Sequence, residues 1–101
     1  MPQIQHMPLL KFKAEVTTDK IEYLFNQLAE LKHLIPGITY FSGGCYSSDE
    51  GLNKDFKHGF LTTFESIEAR DNYLPHPEHE RVKAERLPCI DDIIVFDFKA
   101  E

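Results

Sequence analysis

Tryptophan is absent from this chain, and cysteine occurs only twice among 101 residues. Cys45 and Cys89 form no C-x-x-C pair and match no zinc spacing. We therefore expect two free thiols, each a small buried side chain in a reducing compartment, rather than a disulfide or a metal cluster.

Positive charge is also scarce, because 11 Lys and Arg residues stand against 17 Asp and Glu residues, for a formal net charge of -6. Proteins that bind nucleic acid or an anionic membrane surface need a basic face, so neither partner is expected. No apolar run approaches the roughly 20 residues of a membrane-spanning helix. Residues 1–6 are polar and lack the apolar segment of a secretion signal, so we predict a cytoplasmic location.

The length and composition are those of one globular domain, and we assign residues 1–101 to it. Hydrophobic residues make up 42% of the chain, and no repeat, low-complexity tract or linker divides it. Phenylalanine is frequent, with eight copies. Such a composition suits an apolar pocket for a small molecule.

Periodic patterns predict four strands and three helices. Alternating apolar and polar side chains predict strands over residues 10–16, 38–46, 57–64 and 93–98. Apolar residues at helical spacing predict a helix over residues 21–31, with N-cap chemistry just before it and a capping box formed by Asp19 and Glu22. A short helix capped by Ser66 and a further helix over residues 77–86 follow.

The order of these elements is strand, helix, strand, strand, helix pair, strand, which is the ferredoxin-like βαββαβ arrangement. We therefore predict an α+β fold with a four-stranded antiparallel sheet and its helices on one face. In the last strand, Ile94, Phe96 and Phe98 point to one side, and Ile93 and Val95 point to the other. Because the helices cover only one face, the apolar residues on the other face predict a homodimer whose two sheets close into a barrel-like core.

The most informative motif is an elbow at residues 73–79, with the sequence Tyr-Leu-Pro-His-Pro-Glu-His. Pro77 suits the first position of a helix, because its missing N–H would be unbonded there anyway. His76 then precedes the helix, and His79 lies in its first turn, where the helix dipole disfavours a protonated imidazole. A neutral imidazole can act as a base, and Tyr73 supplies a phenol just upstream.

Taken together, these residues resemble the stress-responsive α/β-barrel family, abbreviated Dabb. The resemblance is carried, in order along the chain, by His6 with residues 10–13, then by residues 35–38, 50–54, 58–60, 63–66 and the elbow at 73–79. It implies a dimeric ferredoxin-like barrel. Many members resemble stress-induced proteins without known chemistry, and one closes a polyketide chain by aldol condensation without a metal or cofactor.

The resemblance to that cyclase extends to individual residues. The elbow motif of that cyclase has a tyrosine and a histidine that correspond to Tyr73 and His79. The resemblance implies that Tyr73 is an acid and His79 is a base. The motif's other histidine falls on His76, and strand histidines fall on His6 and His58, which we treat as pocket residues. Proline at position 8 interrupts the opening strand and departs from the pattern.

The same residues also have structural interpretations. His79 can bond a backbone carbonyl while Tyr73 packs in the core with its hydroxyl at the rim. His76, held between two prolines, can serve only to shape the elbow. His58 shares a predicted strand face with Phe60, which is typical of a buried histidine that is satisfied by its surroundings.

Three functions therefore stay open. The first is a homodimer that binds a hydrophobic small molecule. The second is a cofactor-independent cyclase or lyase with His79 as base and Tyr73 as acid, and the third is a non-catalytic structural dimer with a filled interior. We predict no cofactor and no metal, although His76, His79 and Glu80 are close enough in sequence to share an ion. The family resemblance also allows a magnesium ion between subunits.

Overall fold

The four strands form one antiparallel sheet, in which the third strand of the chain lies between the second and the first, and the fourth lies beside the first. The structure is a computed structural model and describes residues 2–100. Its strands are β1 (Gln3–Phe12), β2 (Ile38–Cys45), β3 (His58–Phe64) and β4 (Ile90–Ala100). Its helices are α1 (Thr18–Leu34), α2 (Ile67–Tyr73) and α3 (Pro77–Arg86), and a short turn at Leu87–Cys89 leads into β4. The predicted ferredoxin-like α+β fold is confirmed. The predicted domain, residues 1–101, extends one residue beyond the described chain at each end.

Strand β1 lies earlier in the sequence than the predicted strand over residues 10–16. It ends at Phe12, and Ala14 and Glu15 form a turn. The alternation past Phe12 therefore belongs to the turn that leads into α1. Strand β4 is longer than predicted at both ends.

Pro8 does not interrupt β1, which corrects the sequence-based expectation. Its side chain is fully buried. His6 lies opposite Thr62 and Leu9 lies opposite Gly59 on β3, so the register is the same before and after the proline. A proline removes one N–H donor from a ladder, but the two neighbouring strands still fix the position of His6.

The N-cap of helix α1 lies two residues before the predicted capping box. Thr17 is the N-cap, and its hydroxyl accepts a hydrogen bond from the Lys20 N–H at 3.1 Å. Asp19 instead lies in the first turn, where its charge complements the helix dipole. The predicted cap of α2 is confirmed, because the Ser66 hydroxyl accepts from the Ala69 N–H. Within residues 2–100, no helix combines the length and apolar character that a bilayer crossing requires.

Strand β2 has one irregularity in its pairing with β3, and it does not lie at its two glycines. The register shifts between Ile38 and Tyr40, whereas Gly43 and Gly44 pair regularly with β3. A Cβ at Gly43 would lie 2.6 Å from a ring carbon of Phe25, so the missing side chain lets that ring approach the strand. Gly43 thus serves close packing, whereas a Cβ at Gly44 would meet nothing within 4 Å.

The two cysteines are free thiols, as predicted, but neither is buried. Cys45 is exposed because it ends β2, which is an edge strand of the sheet. Cys89 is half-buried in the turn before β4. Their expected role as small core side chains is therefore wrong.

The hydrophobic core lies between the sheet and the helices. Leu10 on β1 and Phe64 on β3 are completely buried, with 0% of their surface exposed. The core residues that pack with them include Ile4, Phe60, Leu28, Leu31, Ala69, Tyr73 and Val82. All three helices therefore contribute side chains to one face of the sheet.

The opposite face of the sheet is apolar and uncovered. We call it the open face, and it comprises Met7, Leu9, Ile94, Phe96 and Phe98, which are 38–61% exposed. Leu9 pairs with Ile94 and Met7 pairs with Phe96 across β1 and β4, so these side chains are neighbours. The predicted arrangement, with Ile94, Phe96 and Phe98 on one side of the last strand, is what the register shows.

Candidate functional site

The elbow joins α2 to α3 with three residues between Tyr73 and Pro77. His76 is the N-cap of α3, and its Nδ1 accepts a hydrogen bond from the Glu78 N–H at 3.1 Å. The His76 N–H in turn donates to the Tyr73 carbonyl at 3.1 Å. These bonds occupy one ring nitrogen of His76 and hold His79 in the first turn of α3, as the sequence predicted.

His79 is buried, with 6% of its surface exposed. Its Nδ1 lies 2.9 Å from the Leu74 carbonyl oxygen. A carbonyl only accepts, so Nδ1 carries the proton and Nε2 of the neutral ring keeps a free lone pair. Burial lowers the pKa of His79, and the charge of Arg86 lowers it further, while the bond to Leu74 opposes both. His79 is thus a neutral imidazole in a fixed tautomer, as a general base requires.

Tyr73 packs directly against His79. The two ring centroids are 4.3 Å apart, and the planes are tilted by 35°. Tyr73 is 1% exposed, and this burial raises its pKa to about 12, although the positive charge of Arg86 opposes the shift. The phenol therefore stays protonated at neutral pH and can act as a hydrogen-bond donor or as an acid.

His6 joins this pair from β1. Its ring centroid is 6.0 Å from that of Tyr73, and its Nδ1 lies 2.7 Å from Oδ1 of Asp97 on β4. The other oxygen of Asp97 accepts from Arg70 at 2.8 Å. Burial lowers the pKa of His6 more than the Asp97 carboxylate raises it. The neutral ring donates from Nδ1 to Asp97, which leaves Nε2 unprotonated.

Arg86, near the C-terminal end of α3, completes the cluster. It is 7% exposed, and its Nε is buried without a hydrogen-bond partner among the described residues. Its charge lowers the pKa values of both His6 and His79, so it lies within electrostatic reach of each. We call Tyr73, His79, His6, Asp97 and Arg86 the polar cluster.

Sequence reasoning missed two members of the polar cluster. Asp97 is an acidic residue on an apolar strand, and alternation with Ile93 and Val95 would have placed it on the helix-facing side. Arg86 follows His79 by seven residues, which puts both on one face of a helix. Each could have been found from the sequence by these patterns.

His58 lies apart from the polar cluster. It is half-buried, and its ring meets the edge of Phe12 at a centroid distance of 5.2 Å. It lines an open groove of about 410 Å³ between α1 and the ends of β2 and β3, together with Ile21, Phe25 and Gly43. The groove is mostly apolar, and neither Tyr73 nor His79 lines it.

A continuous series of rings connects this groove to the polar cluster. Successive ring centroids lie between 4.3 and 6.2 Å apart. In order, the rings are those of His58, Phe25, Phe60, His6, Tyr73 and His79. We call this series the aromatic row. Four of the five predicted site residues belong to it, and His76, which caps α3, does not.

Several sequence predictions have no structural counterpart to test them. Within residues 2–100, no three His, Cys, Asp or Glu side chains are placed to hold one metal ion. Nδ1 of His79 lies 4.0 Å from a carboxylate oxygen of Glu80, whose side chain is exposed. A magnesium ion between subunits stays a prediction. The cytoplasmic location and the absence of a nucleic-acid partner also stay predictions.

Comparison with known proteins identifies the family. Residues 4–100 match the model of the Stress responsive A/B Barrel Domain. The chain belongs to this family. The family resemblance found in the sequence is thereby confirmed.

The chain is similar to a stress-response A/B barrel domain-containing protein, HS1, of Arabidopsis thaliana. The two are 36% identical over 95% of this chain and 88% of that protein. A crystal structure of an Arabidopsis thaliana protein superposes with a TM-score of 0.92 at 36% identity, over 97% of this chain and 95% of the other.

Two further relatives bear on assembly and chemistry. Olivetolic acid cyclase of Cannabis sativa is 26% identical over 94% of each chain. A protein from Jannaschia sp. CCS1, described as a dimeric ferredoxin-like protein of unknown function, superposes with a TM-score of 0.85 at 29% identity. That match covers 95% of this chain and 97% of the other.

Proposed function

We propose that this protein is a homodimeric barrel that binds a hydrophobic small molecule between α1 and the sheet. The aromatic row is the observation that carries the proposal. It begins at the open groove beside His58 and ends at the buried pair formed by Tyr73 and His79. A ligand would enter at the groove and place its apolar part among the rings.

The open face supports the homodimer. Each large apolar side chain left in water forgoes about 1.5–3 kcal/mol that full burial would bring. A second copy related by a two-fold axis presents the same apolar side chains and buries both sets at once. The similar Jannaschia protein is described as dimeric.

The packing around Phe25 supports the ligand path. Phe25 is half-buried, so its ring can move without opening the whole core. Its neighbour Gly43 has no side chain, so on that side the ring packs against the strand backbone alone. A rotation of Phe25 would give an apolar ligand access to Phe60, whose ring is next to that of His6.

Substitution of neighbouring glycines tests the path. A Cβ at Gly43 would lie 2.6 Å from the Phe25 ring, whereas a Cβ at Gly44 would meet nothing within 4 Å. We expect Gly43→Ala to weaken binding of para-butylbenzamide roughly tenfold or more, because overpacking removes the room for the ligand. Gly44 also lines the groove, but its added methyl group would meet nothing within 4 Å, so Gly44→Ala is the matched control and should bind nearly as the wild type does.

Isothermal titration calorimetry provides the measurement. Absence of binding by the wild-type protein at millimolar probe would reject the ligand hypothesis. Equal affinity of the two glycine variants would reject the path beside Phe25. A dimer that binds no probe is the result expected for the third function, a structural dimer with a filled interior, which the complete burial of Leu10 and Phe64 favours.

The state of His79 and Tyr73 favours a second candidate function, a cofactor-independent cyclase or lyase. Nε2 of His79 could take a proton from the carbon next to a carbonyl group. The Tyr73 phenol, held protonated by burial, could donate to the oxyanion that develops. Similarity to olivetolic acid cyclase is consistent with such chemistry.

The substitution His79→Ala tests the enzyme hypothesis. Loss of a general base typically lowers turnover by about 10²–10⁴-fold, so His79→Ala should abolish cyclisation of a linear polyketide thioester. Binding of para-butylbenzamide should stay within about threefold, because the base contributes to the chemical step more than to apolar contact. His33→Ala, at an exposed histidine, is the control. Unchanged turnover in His79→Ala would exclude this role.

A further inference from the structure

We propose that Arg86 is an anion-binding residue that recognises the carboxylate of an organic acid inside the barrel. The inference rests on the proposed binding of a small molecule and specifies the chemical class of that molecule. Its carboxylate would lie beside the polar cluster, and its apolar part would lie along the aromatic row.

The guanidinium of Arg86 has no carboxylate partner in the described chain. Arg86 is 7% exposed, and its Nε is fully buried without a hydrogen bond. The acidic residue of the polar cluster is already engaged, because one oxygen of Asp97 bonds His6 and the other bonds Arg70. The remaining members of the cluster carry no negative charge, because His6 and His79 are neutral and Tyr73 is protonated.

An unpaired buried charge is costly and is therefore rare in folded proteins. A guanidinium cannot relieve that cost by losing its proton at neutral pH. Acidic residues outnumber basic ones in this chain, 17 to 11, yet none of the described ones forms an ion pair with Arg86. A group that stays charged, buried and unpaired is best explained by a partner that arrives from outside the chain.

The chemistry of the surroundings favours a carboxylate as that partner. A guanidinium presents parallel N–H donors whose spacing matches the two oxygens of a planar carboxylate. The neutral Tyr73 phenol can donate a further hydrogen bond. The adjacent rings of Phe64 and His6 offer contacts to an aryl or alkyl group, because both lie within 6.0 Å of the Tyr73 ring.

A matched pair of ligands tests the assignment. The wild-type protein should bind para-butylbenzoate roughly tenfold or more tightly than para-butylbenzamide, since charge-assisted hydrogen bonds are the stronger class. Arg86→Met keeps the length of the side chain and should remove this preference. Arg81→Met, on the exposed side of the same helix, should retain it. Equal affinities for the two ligands in the wild type, or a preference that survives in Arg86→Met, would overturn the inference.

The unliganded protein provides a test that does not depend on the aromatic ligands. Acetate titrated into the wild type should shift the NMR resonance of the Arg86 Nε–H to saturation, while sodium chloride at equal ionic strength should not. Failure of para-butylbenzamide to bind would count against the proposed function alone, whereas the absence of an acetate-specific shift would count against the anion site.

The stability of Arg86→Met separates a binding role from a structural one. Removing an unpaired buried charge should leave the melting temperature of the free protein unchanged or raise it. A fall of about 5 °C or more would show that the guanidinium stabilises the fold itself and would overturn the inference. If Arg86→Met does not fold, the acetate titration of the wild-type protein still tests the anion site.

Discussion

Two adjacent leucines on β1 show how differently the two sides of the sheet are built. Leu10 faces the helices and is 0% exposed, whereas Leu9 faces away from them and is 41% exposed. Both pair with isoleucines of β4, Leu10 with Ile93 and Leu9 with Ile94. The same residue types therefore form a buried core on one side of the sheet and an exposed apolar surface on the other.

Polar side chains are usually exposed and large apolar ones buried, and several residues of this sheet and its helices depart from that rule. The covered side contains buried His6, His79 and Arg86, while the uncovered side presents exposed Phe96 and Phe98. Buried polar groups carry a desolvation cost, and exposed apolar groups forgo a gain from burial. We infer that the covered side keeps its polar residues for a ligand and that the uncovered side keeps its apolar residues for a partner subunit.

The largest effect is expected from a charge on the open face. Phe96 is 61% exposed in one subunit, and a two-fold axis would place two copies at the interface. Phe96→Glu should weaken dimerisation about a thousandfold or more, or roughly 4 kcal/mol, because it buries an unpaired carboxylate. Analytical ultracentrifugation measures the change.

The neighbouring residue on β4 supplies the control for this prediction. Val95 is 54% exposed but lies on the opposite side of the strand, paired with Pro8. Val95→Glu should therefore leave the dimer intact, with circular dichroism confirming that both variants are folded. A wild-type monomer at micromolar concentration, or a dimer unaffected by Phe96→Glu, would contradict the interface.

The two leucines of β1 provide the next test. Leu10→Ala should lower the free energy of unfolding by about 3 kcal/mol, because it leaves a cavity in a closed core. Leu9→Ala removes the same atoms from the open face and should act mainly on dimerisation. Urea unfolding at two protein concentrations separates these effects. Equal losses at both positions, independent of concentration, would show that the two sides do not differ as described.

Local sequence patterns predicted much of this arrangement. Pro77 at its start and Pro88 just beyond its end were sufficient to predict α3 over residues 77–86, and the structure has it at Pro77–Arg86. The alternation in β4 divided its apolar residues correctly between the two sides of the sheet, although it did not indicate which side the helices would cover. Both features depend on residues that are close in sequence, so the local sequence is sufficient to predict them.

Features that depend on distant contacts were missed. Proline within a central strand is disfavoured, so local rules placed the first strand after Pro8, whereas pairing on both sides keeps β1 continuous from Gln3 to Phe12. Asp97 lies 91 residues from the histidine it bonds, and only the register of β1 with β4 brings the two together. Three of the five members of the polar cluster were therefore predicted, and Asp97 and Arg86 were not.

The buried histidines on the helix-covered side of the sheet should make the free energy of unfolding depend on pH. Burial lowers the pKa of both His6 and His79, so the unfolded chain binds more protons than the folded one below the ordinary value of about 6.5. The contribution of these two neutral histidines to the free energy of unfolding is fully present above pH 6.5. It is lost as the pH drops from there toward their folded-state pKa values. The slope should be at most about 1.4 kcal/mol per pH unit for each histidine.

Chemical denaturation across this pH range measures that dependence. Replacing both histidines with glutamine should remove most of it, whereas His33→Gln, at an exposed position, should not. A stability that stays constant as the pH falls below 6.5 would mean that the buried imidazoles are not held neutral by the fold.

The smallest effect concerns His76, which belongs to the elbow but not to the aromatic row. Its Nδ1 accepts from the Glu78 N–H and so satisfies one of the unbonded donors at the start of α3. His76→Ala should cost about 1 kcal/mol of stability, the usual value of an N-cap, with ligand binding unchanged. His76→Asn keeps an acceptor at the cap and should recover most of that loss. If both variants lost equal stability, or if either weakened binding of para-butylbenzamide, the imidazole would belong to the ligand site rather than to the helix cap.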